Sequence, residues 1–304
     1  MRTLSLAFAG MLSTGFAQAQ SLPGIDYSGS FRLGILTVDD SGADDINYGR
    51  LDFDATADFG NGFGGYLGYE GIRELDANEE TVDRVLYALT YTGEVGTFAL
   101  GNPRGASEVI RDNDLLGAST VLAIEGYLTL GPLPTLIQFL RDDAVYGLSY
   151  EGAFGANTVA ASYHIPEESD DAILSFGYSR DFGSYGLFAT YDTTTDNPAG
   201  YDGTLSIGAS GHVGDFAGQV TLSSQPIVAD DGFVIQLEGD YRVNDALRVG
   251  ASLARLDTSG GDFSVYSIGA EYGFGTGGFA RADLGGLDGG SDVNFASIEV
   301  GITF

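Results

Sequence analysis

Two groups of charged residues stand out by type and position. One is acidic: Glu108, Asp112, Asp114 and Glu125 all fall between Leu100 and Asp143. The other is basic: Arg32, Arg50 and Arg84 are spread along the first third of the chain. Carboxylates set opposite guanidinium groups create a local electric field, and Arg keeps its charge even when crowded by other Arg. Catalysis has poorer material. The chain has no Cys, which excludes thiol nucleophiles, thiolate metal sites and disulfides. His164 and His212 are its only histidines; they form no metal-spaced pair, and neither adjoins a Gly-x-Ser-x-Gly elbow. Carboxylate pairs abound, but among 43 acids some spacing always fits, so they identify no acid–base site. The chain therefore reads as non-enzymatic and without a cofactor. Gly285–Asp292 is at most one degenerate calcium nonapeptide, which cannot build a β-helix alone. Acidic loops such as Asp39–Asp45 offer oxygen ligands for Ca²⁺, testable by loss of assembly stability in chelator.

Composition narrows the elements that must carry these charges. All 13 basic residues are Arg, and against 43 Asp and Glu they leave a net charge of −30. That charge repels phosphate backbones, so nucleic acid is excluded as a partner. The same charge would read as disorder, but 43% hydrophobic and 12% aromatic residues are too apolar for it. At the N-terminus, Arg2 precedes the apolar run Leu4–Leu12, and Ala17-Gln18-Ala19 gives a small-x-small cleavage pattern. Residues 1–19 are thus expected to be a secretory signal peptide. Its removal takes one Arg and no acid, leaving 285 residues and a net charge of −31. No later stretch approaches the roughly 20 apolar residues of a membrane helix, so any membrane role falls to strands.

Strands are what the periodicity predicts. Leu51, Phe53, Ala55, Ala57 and Phe59 alternate with Arg50, Asp52, Asp54, Thr56 and Asp58. Phe233, Ile235, Leu237 and Tyr241 alternate in the same way with Gln236, Glu238, Asp240 and Arg242. Short turns recur at Phe59-Gly60, Val95-Gly96, Phe154-Gly155, Phe182-Gly183, Val213-Gly214, Val243-Asn244 and Phe274-Gly275. From Phe154 to Phe304 these markers are spaced 28, 31, 30, 31 and 30 residues apart, a hairpin repeat. Seven short turns and two chain ends predict sixteen strands. Arg32, Arg50, Arg84, Arg242, Arg248 and Arg281 share the polar parity with Asp52, Asp54, Glu70, Glu151, Glu238, Asp240, Glu271, Asp283 and Glu299. Arg180 and Arg255 break it, but at strand ends. One face free of charge at mid-strand and one wet face is the pattern of a barrel in lipid around a water-filled lumen. Tyr residues near strand ends on the apolar face, Tyr87, Tyr178, Tyr185, Tyr241 and Tyr272 among them, are placed for interfacial girdles.

With the Ala-x-Ala signal, the Phe-Gly turns, the hairpin Tyr146–Tyr163 and the final strand Phe295–Phe304, the chain resembles the general porins of the bacterial outer membrane, of the alphaproteobacterial kind. The resemblance covers residues 20–304. It implies a transmembrane sixteen-stranded antiparallel up-and-down β-barrel with an inward-folded constriction loop, assembled as a homotrimer. It also implies contacts with outer-membrane lipid and lipopolysaccharide, and recognition of the terminal Phe304 by the barrel assembly machinery. The repeat breaks only between Val95 and Phe154, so the loop is expected at about residues 102–143. Its apolar tract, Val121 to Phe139, should pack on the barrel wall, with Ser107 as the N-cap of a short helix. The alternative, an extra hairpin and eighteen strands, is opposed by Pro132 and Pro134. Loop acids Glu108, Asp112, Asp114 and Glu125 facing wall arginines Arg32, Arg50 and Arg84 would set a transverse field across the pore. Asp52 and Asp54 would neutralise part of the basic side. The expectation is a diffusion pore for small hydrophilic solutes and ions with a mild cation preference. Its rivals are a substrate-selective channel and a structural or adhesive barrel with a plugged lumen. Few aromatics are expected on the lumen face.

Overall fold

The computed structural model describes residues 24–39, 45–75, 81–111, 115, 145–167, 171–195, 203–224, 232–258, 261–289 and 293–304. The first strands are β1 (Ile25–Asp39), β2 (Ile46–Gly60), β3 (Phe63–Glu74), β4 (Thr81–Gly93) and the short β5 (Gly96–Asn102). Among the described residues, one helix, α1 (Ala106–Arg111), follows. Then come β6 (Val145–Phe154), β7 (Asn157–Pro166), β8 (Ile173–Asp181), β9 (Tyr185–Thr194), β10 (Thr204–Val213) and β11 (Phe216–Ser224). The last are β12 (Phe233–Arg242), β13 (Leu247–Thr258), β14 (Gly261–Gly273), β15 (Gly278–Asp288) and β16 (Val293–Thr303). Every strand pairs antiparallel with its sequence neighbours, and β1 pairs with β16 from Ser30↔Thr303 to Asp39↔Asn294. The sheet therefore closes into a sixteen-stranded barrel and leaves no edge to be satisfied. Closure also disposes of the eighteen-strand alternative. β5 pairs directly with β6 through Thr97↔Glu151 to Gly101↔Gly147, so the segment between them adds no strand to the wall.

The alternation seen in the sequence becomes an inside and an outside. Leu89, Leu100, Leu148, Phe176, Leu187, Ile207, Leu237, Ile268, Leu284 and Ile298 are exposed on the outer wall. Buried polar groups line the inner one, among them Arg84, Ser162, His164, Ser175, Asp192, Asp240, Asp283 and Glu299. Outward-facing charges occur near strand ends: Arg180 lies over the Phe182 ring, and Arg255 pairs with Asp262 at 2.5 Å. Both are the parity exceptions expected from sequence. An outer wall apolar across its middle is fit for hydrocarbon.

The Phe-Gly repeat has two jobs at one rim. Its glycines turn the chain, Gly60, Gly155, Gly183, Gly214 and Gly275 all at positive φ that a side chain would strain. Its aromatics, Phe59, Phe154, Phe182 and Phe274, are exposed on the outside beside Tyr91, Tyr178, Tyr185, Tyr241 and Tyr272. Ring pairs Phe63–Tyr91, Phe98–Tyr150 and Phe182–Tyr185 sit 5.0, 4.9 and 4.8 Å apart, forming the girdle of the short-turn end.

The lumen face departs from expectation in one respect: it carries more aromatics than parity reading anticipated. Tyr48, Phe188, Phe279 and Phe295 lie over Gly34, Gly208, Gly301 and Gly285 of neighbouring strands, where a Cβ would collide with the ring. These four glycines thus make room for rings on the inner wall. Leu36, Tyr48, Val265 and Phe295 form an interior apolar cluster toward the long-loop end, and Val234 packs with Leu256 beside it.

The two-sided wall makes a direct prediction. Leu237 is outward at the middle of β12, and its neighbour Gln236 faces the lumen. Leu237→Arg should destabilise the barrel in vesicles by about 2–4 kcal/mol. Gln236→Arg should change stability far less, as read by denaturant titration of strand circular dichroism.

Candidate functional site

The site is built where the hairpin repeat breaks. β5 ends at Asn102, whose Nδ2 donates to Val85 O at 2.6 Å. The chain then turns inward at Pro103, where His164 Nε2 donates to the Pro103 carbonyl at 3.0 Å. Because a carbonyl can only accept, that ring nitrogen carries the proton. Six residues, Ala106–Arg111, wind into α1 with Val109 N donating to Gly105 O at 3.1 Å. Gly105 thus takes the cap position expected of Ser107. A helix start leaves backbone N–H groups without partners, and here the wall supplies them. Ser162 Oγ accepts from Ala106 N and Ser175 Oγ accepts from Ser107 N, both at 3.0 Å. Ser107 instead points its hydroxyl at the wall, donating to Asp192 Oδ1 at 2.8 Å.

Packing completes the dock. Ala106 and Ile110 are buried against Ala160 of β7 and Phe188 of β9. Gly177 of β8 lies directly beneath; a Cβ there would meet Ile110 Cγ1 at 2.5 Å. Ala160, Ser162, Ser175, Gly177, Phe188 and Asp192 share the inward parity of β7–β9, so α1 lies inside the barrel.

The other side of this segment is electrostatic. Arg104 Nη2 donates to Asp54 Oδ1 of β2 and to Glu70 Oε1 of β3, both at 3.2 Å, and its Nε donates to Tyr66 Oη at 3.1 Å. Tyr66 in turn donates a short hydrogen bond to Asp54 Oδ1. One turn on, Glu108 lies 3.6 Å from Arg104 and accepts from Arg84 Nη1 at 2.9 Å and Nη2 at 2.5 Å. Arg84 also holds Glu70 at 2.9 Å. Burial works against charge on Arg104, but Glu108, Tyr66 and Glu70 outweigh it and hold the guanidinium more firmly protonated than usual. The cluster contains three acids and two guanidinium groups. Nearby, Asp52 bridges Arg32 at 3.1 Å and Arg50 at 3.0 Å. Arg32 and Arg50 are directly cross-strand, so Asp52 relieves their mutual repulsion.

Of the sequence-predicted residues, Glu108, Arg32, Arg50 and Arg84 are brought to the lumen side of β1–β4. Asp112, Asp114 and Glu125 lie outside the described residues, as do the signal peptide and most of residues 102–143. Arg84 is not set across open water from Glu108 but bonded to it, with a side chain only 1% exposed. The expected neutralisation by Asp52 and Asp54 takes two forms, Asp52 on the wall arginines and Asp54 on Arg104. Arg104 is the residue that sequence reasoning passed over. Its signal was present: Pro103 ends the strand, and Arg104 stands one helical turn before Glu108. Phe304 extends the closing seam, with reciprocal backbone bonds to Gly29 at 3.0 Å.

An apolar outer wall, an aromatic rim and a charged lumen partly occupied by an inward segment define a transmembrane channel of the outer-membrane kind. The chain belongs to the Gram-negative porin family, whose model matches residues 4–285. No curated protein sequence matches it. Among solved structures it is similar to a triple variant of the Rhodopseudomonas blastica porin, with a TM-score of 0.67 and 19% identity. It is likewise similar to a fivefold variant of that porin, at 0.65 and 18%. Each match covers 92% of this chain and 100% of the other. Identity at that level speaks for the fold, and fold and family together make the protein an outer-membrane porin.

The dock can be tested at its tightest point. Gly177→Val should push α1 off the wall and alter single-channel conductance in planar bilayers. Strand circular dichroism should be retained, because the backbone pairing of β8 does not involve the side chain.

Proposed function

We propose that the channel passes small hydrophilic solutes and ions by passive diffusion, with a mild preference for cations. The observation that carries this reading is the division of the lumen wall. Residues 103–111 cover the inner face from β2–β4 across to β6–β9. The arc from β12 through β16 and β1 to β2 instead projects Arg248, Arg281, Arg32 and Arg50 among Asp240, Glu271, Asp283 and Glu299. Solutes would pass between the two. Asp112, Asp114 and Glu125, carried on from α1, would complete the acidic side of the constriction, and the wall arginines its basic side. Opposed charges of this kind orient dipolar solutes and disfavour apolar ones. Three acids against two guanidiniums around Arg104, and −31 after signal removal, tilt the balance toward cations.

The same reading takes the working unit as a homotrimer in contact with lipopolysaccharide, exported through the periplasm, with Phe304 as the mark read by the assembly machinery. The acids are taken as pore and loop charges; Ca²⁺ at the outer loops remains a proposal tested by trimer stability in chelator. Catalysis has no role in it.

Reconstitution in planar bilayers tests the whole. Expected are stepwise conductance, closures in threes and a reversal potential of weakly cationic sign in a salt gradient. Anion selectivity would overturn the stated preference, and a barrel that never conducts would overturn the diffusion reading. Arg104→Gln should move the permeability ratio further toward cations, by a factor of roughly two, because it uncovers Asp54, Glu70 and Glu108.

A further inference from the structure

At the short-turn mouth the inner wall holds a cavity of about 460 Å³ bordered by His212, Asp215, Asp240, Arg242, Arg248 and Leu115. Arg242 ends β12 and Arg248 opens β13, and the two are directly cross-strand. Like charges in that position repel, so the pair requires a counter-charge. The available acids serve one partner only. Arg248 is held by Asp240 at 3.5 Å and by Glu271 at 3.6 Å. Arg242 contributes its backbone N–H to Asp215 O at 2.9 Å, but its exposed guanidinium makes no ion pair among the described residues. His212, also exposed at inward parity, offers its ring to the same cavity without a side-chain hydrogen bond among the described residues.

We propose that this cavity is a subsite for small oxyanions, phosphate or dicarboxylate, seated on Arg242 with Arg248 and His212 beside it. The guanidinium fork matches the paired oxygens of either group, and among the described residues no carboxylate occupies it. Asp215 and Asp240 border the cavity, which favours a compact anion that can reach Arg242 without lying across them. In a chain this acidic, such a foothold lets anions approach from the periplasmic side, where short turns face. The inference rests on the diffusion reading for its role, but not for its binding chemistry.

Two measurements separate these. In planar bilayers, inorganic phosphate and succinate are added in separate arms, first to one chamber and then to the other, over constant KCl. One-sided reduction of current is expected, with Arg242→Gln raising the half-effective concentration about threefold or more and Arg242→Lys less. Conductance in KCl alone should change little. Action by one anion only would assign the subsite to that class. Equal effects from both sides, or an effect unchanged in Arg242→Gln, would overturn the proposal. Independently of conductance, phosphorus NMR line broadening of phosphate by the folded protein in detergent should be lost in Arg242→Gln. If wild-type and variant broaden the line equally, there is no subsite at Arg242, even in a conducting channel. A barrel that broadens the line but never conducts would keep the subsite and sink the diffusion reading.

Discussion

Hydrocarbon offers no partner to a backbone N–H or C=O, and the rest of this molecule follows from that constraint. A sheet in lipid must close, and here the closing seam is the pairing of β1 with β16, continued by Phe304 onto Gly29. Once closed, the wall has two faces that cannot be exchanged. A shift of one residue in β2 would send Arg50, Asp52 and Asp54 into lipid, so the alternation of Leu51-Asp52-Phe53-Asp54 fixes register as well as face. The interior then becomes the one place where the protein's charge can be kept within the membrane span.

That interior is organised by pairing rather than by open separation of charge. Glu108 is drawn onto Arg84, Arg104 onto Asp54 and Glu70, and Asp52 lies between Arg32 and Arg50. Buried charges so close are costly to separate, since removing either partner strands the other. The segment from Pro103 to Arg111 is consequently held from both sides, by ion pairs on β2–β4 and by hydroxyl bonds and apolar contacts on β7–β9. Gly177 allows the helix to approach the wall closely enough for Ser175 and Asp192 to reach Ser107.

Different physical reasons put different features within reach of sequence. Strand number and turn position were readable because period-two alternation and the Phe-Gly repeat are local consequences of membrane thickness and of positive φ at Gly60, Gly155, Gly183 and Gly275. Arg180 and Arg255 could be placed at rims because their parity conflicted with a lipid face. Ser107 was misread as a cap because its local spacing fits one, whereas its partner, Asp192, is 85 residues away. Arg104 was passed over because its importance comes from Asp54, Glu70 and Tyr66, all on strands it meets only after closure.

By itself, then, the sequence determined that this chain is all-β, sixteen strands around a wet lumen, with acids and guanidinium groups turned inward. Those features need only parity, period and composition, which are properties of neighbours along the chain. Tertiary structure decided which charges meet. It turned Arg84 and Glu108 from facing groups into a bonded pair, gave Arg104 its place between helix and wall, and left Arg242 without a carboxylate partner among the described residues. Ion pairs act over a few ångströms, and a closed barrel brings within that distance residues that no spacing along the chain connects.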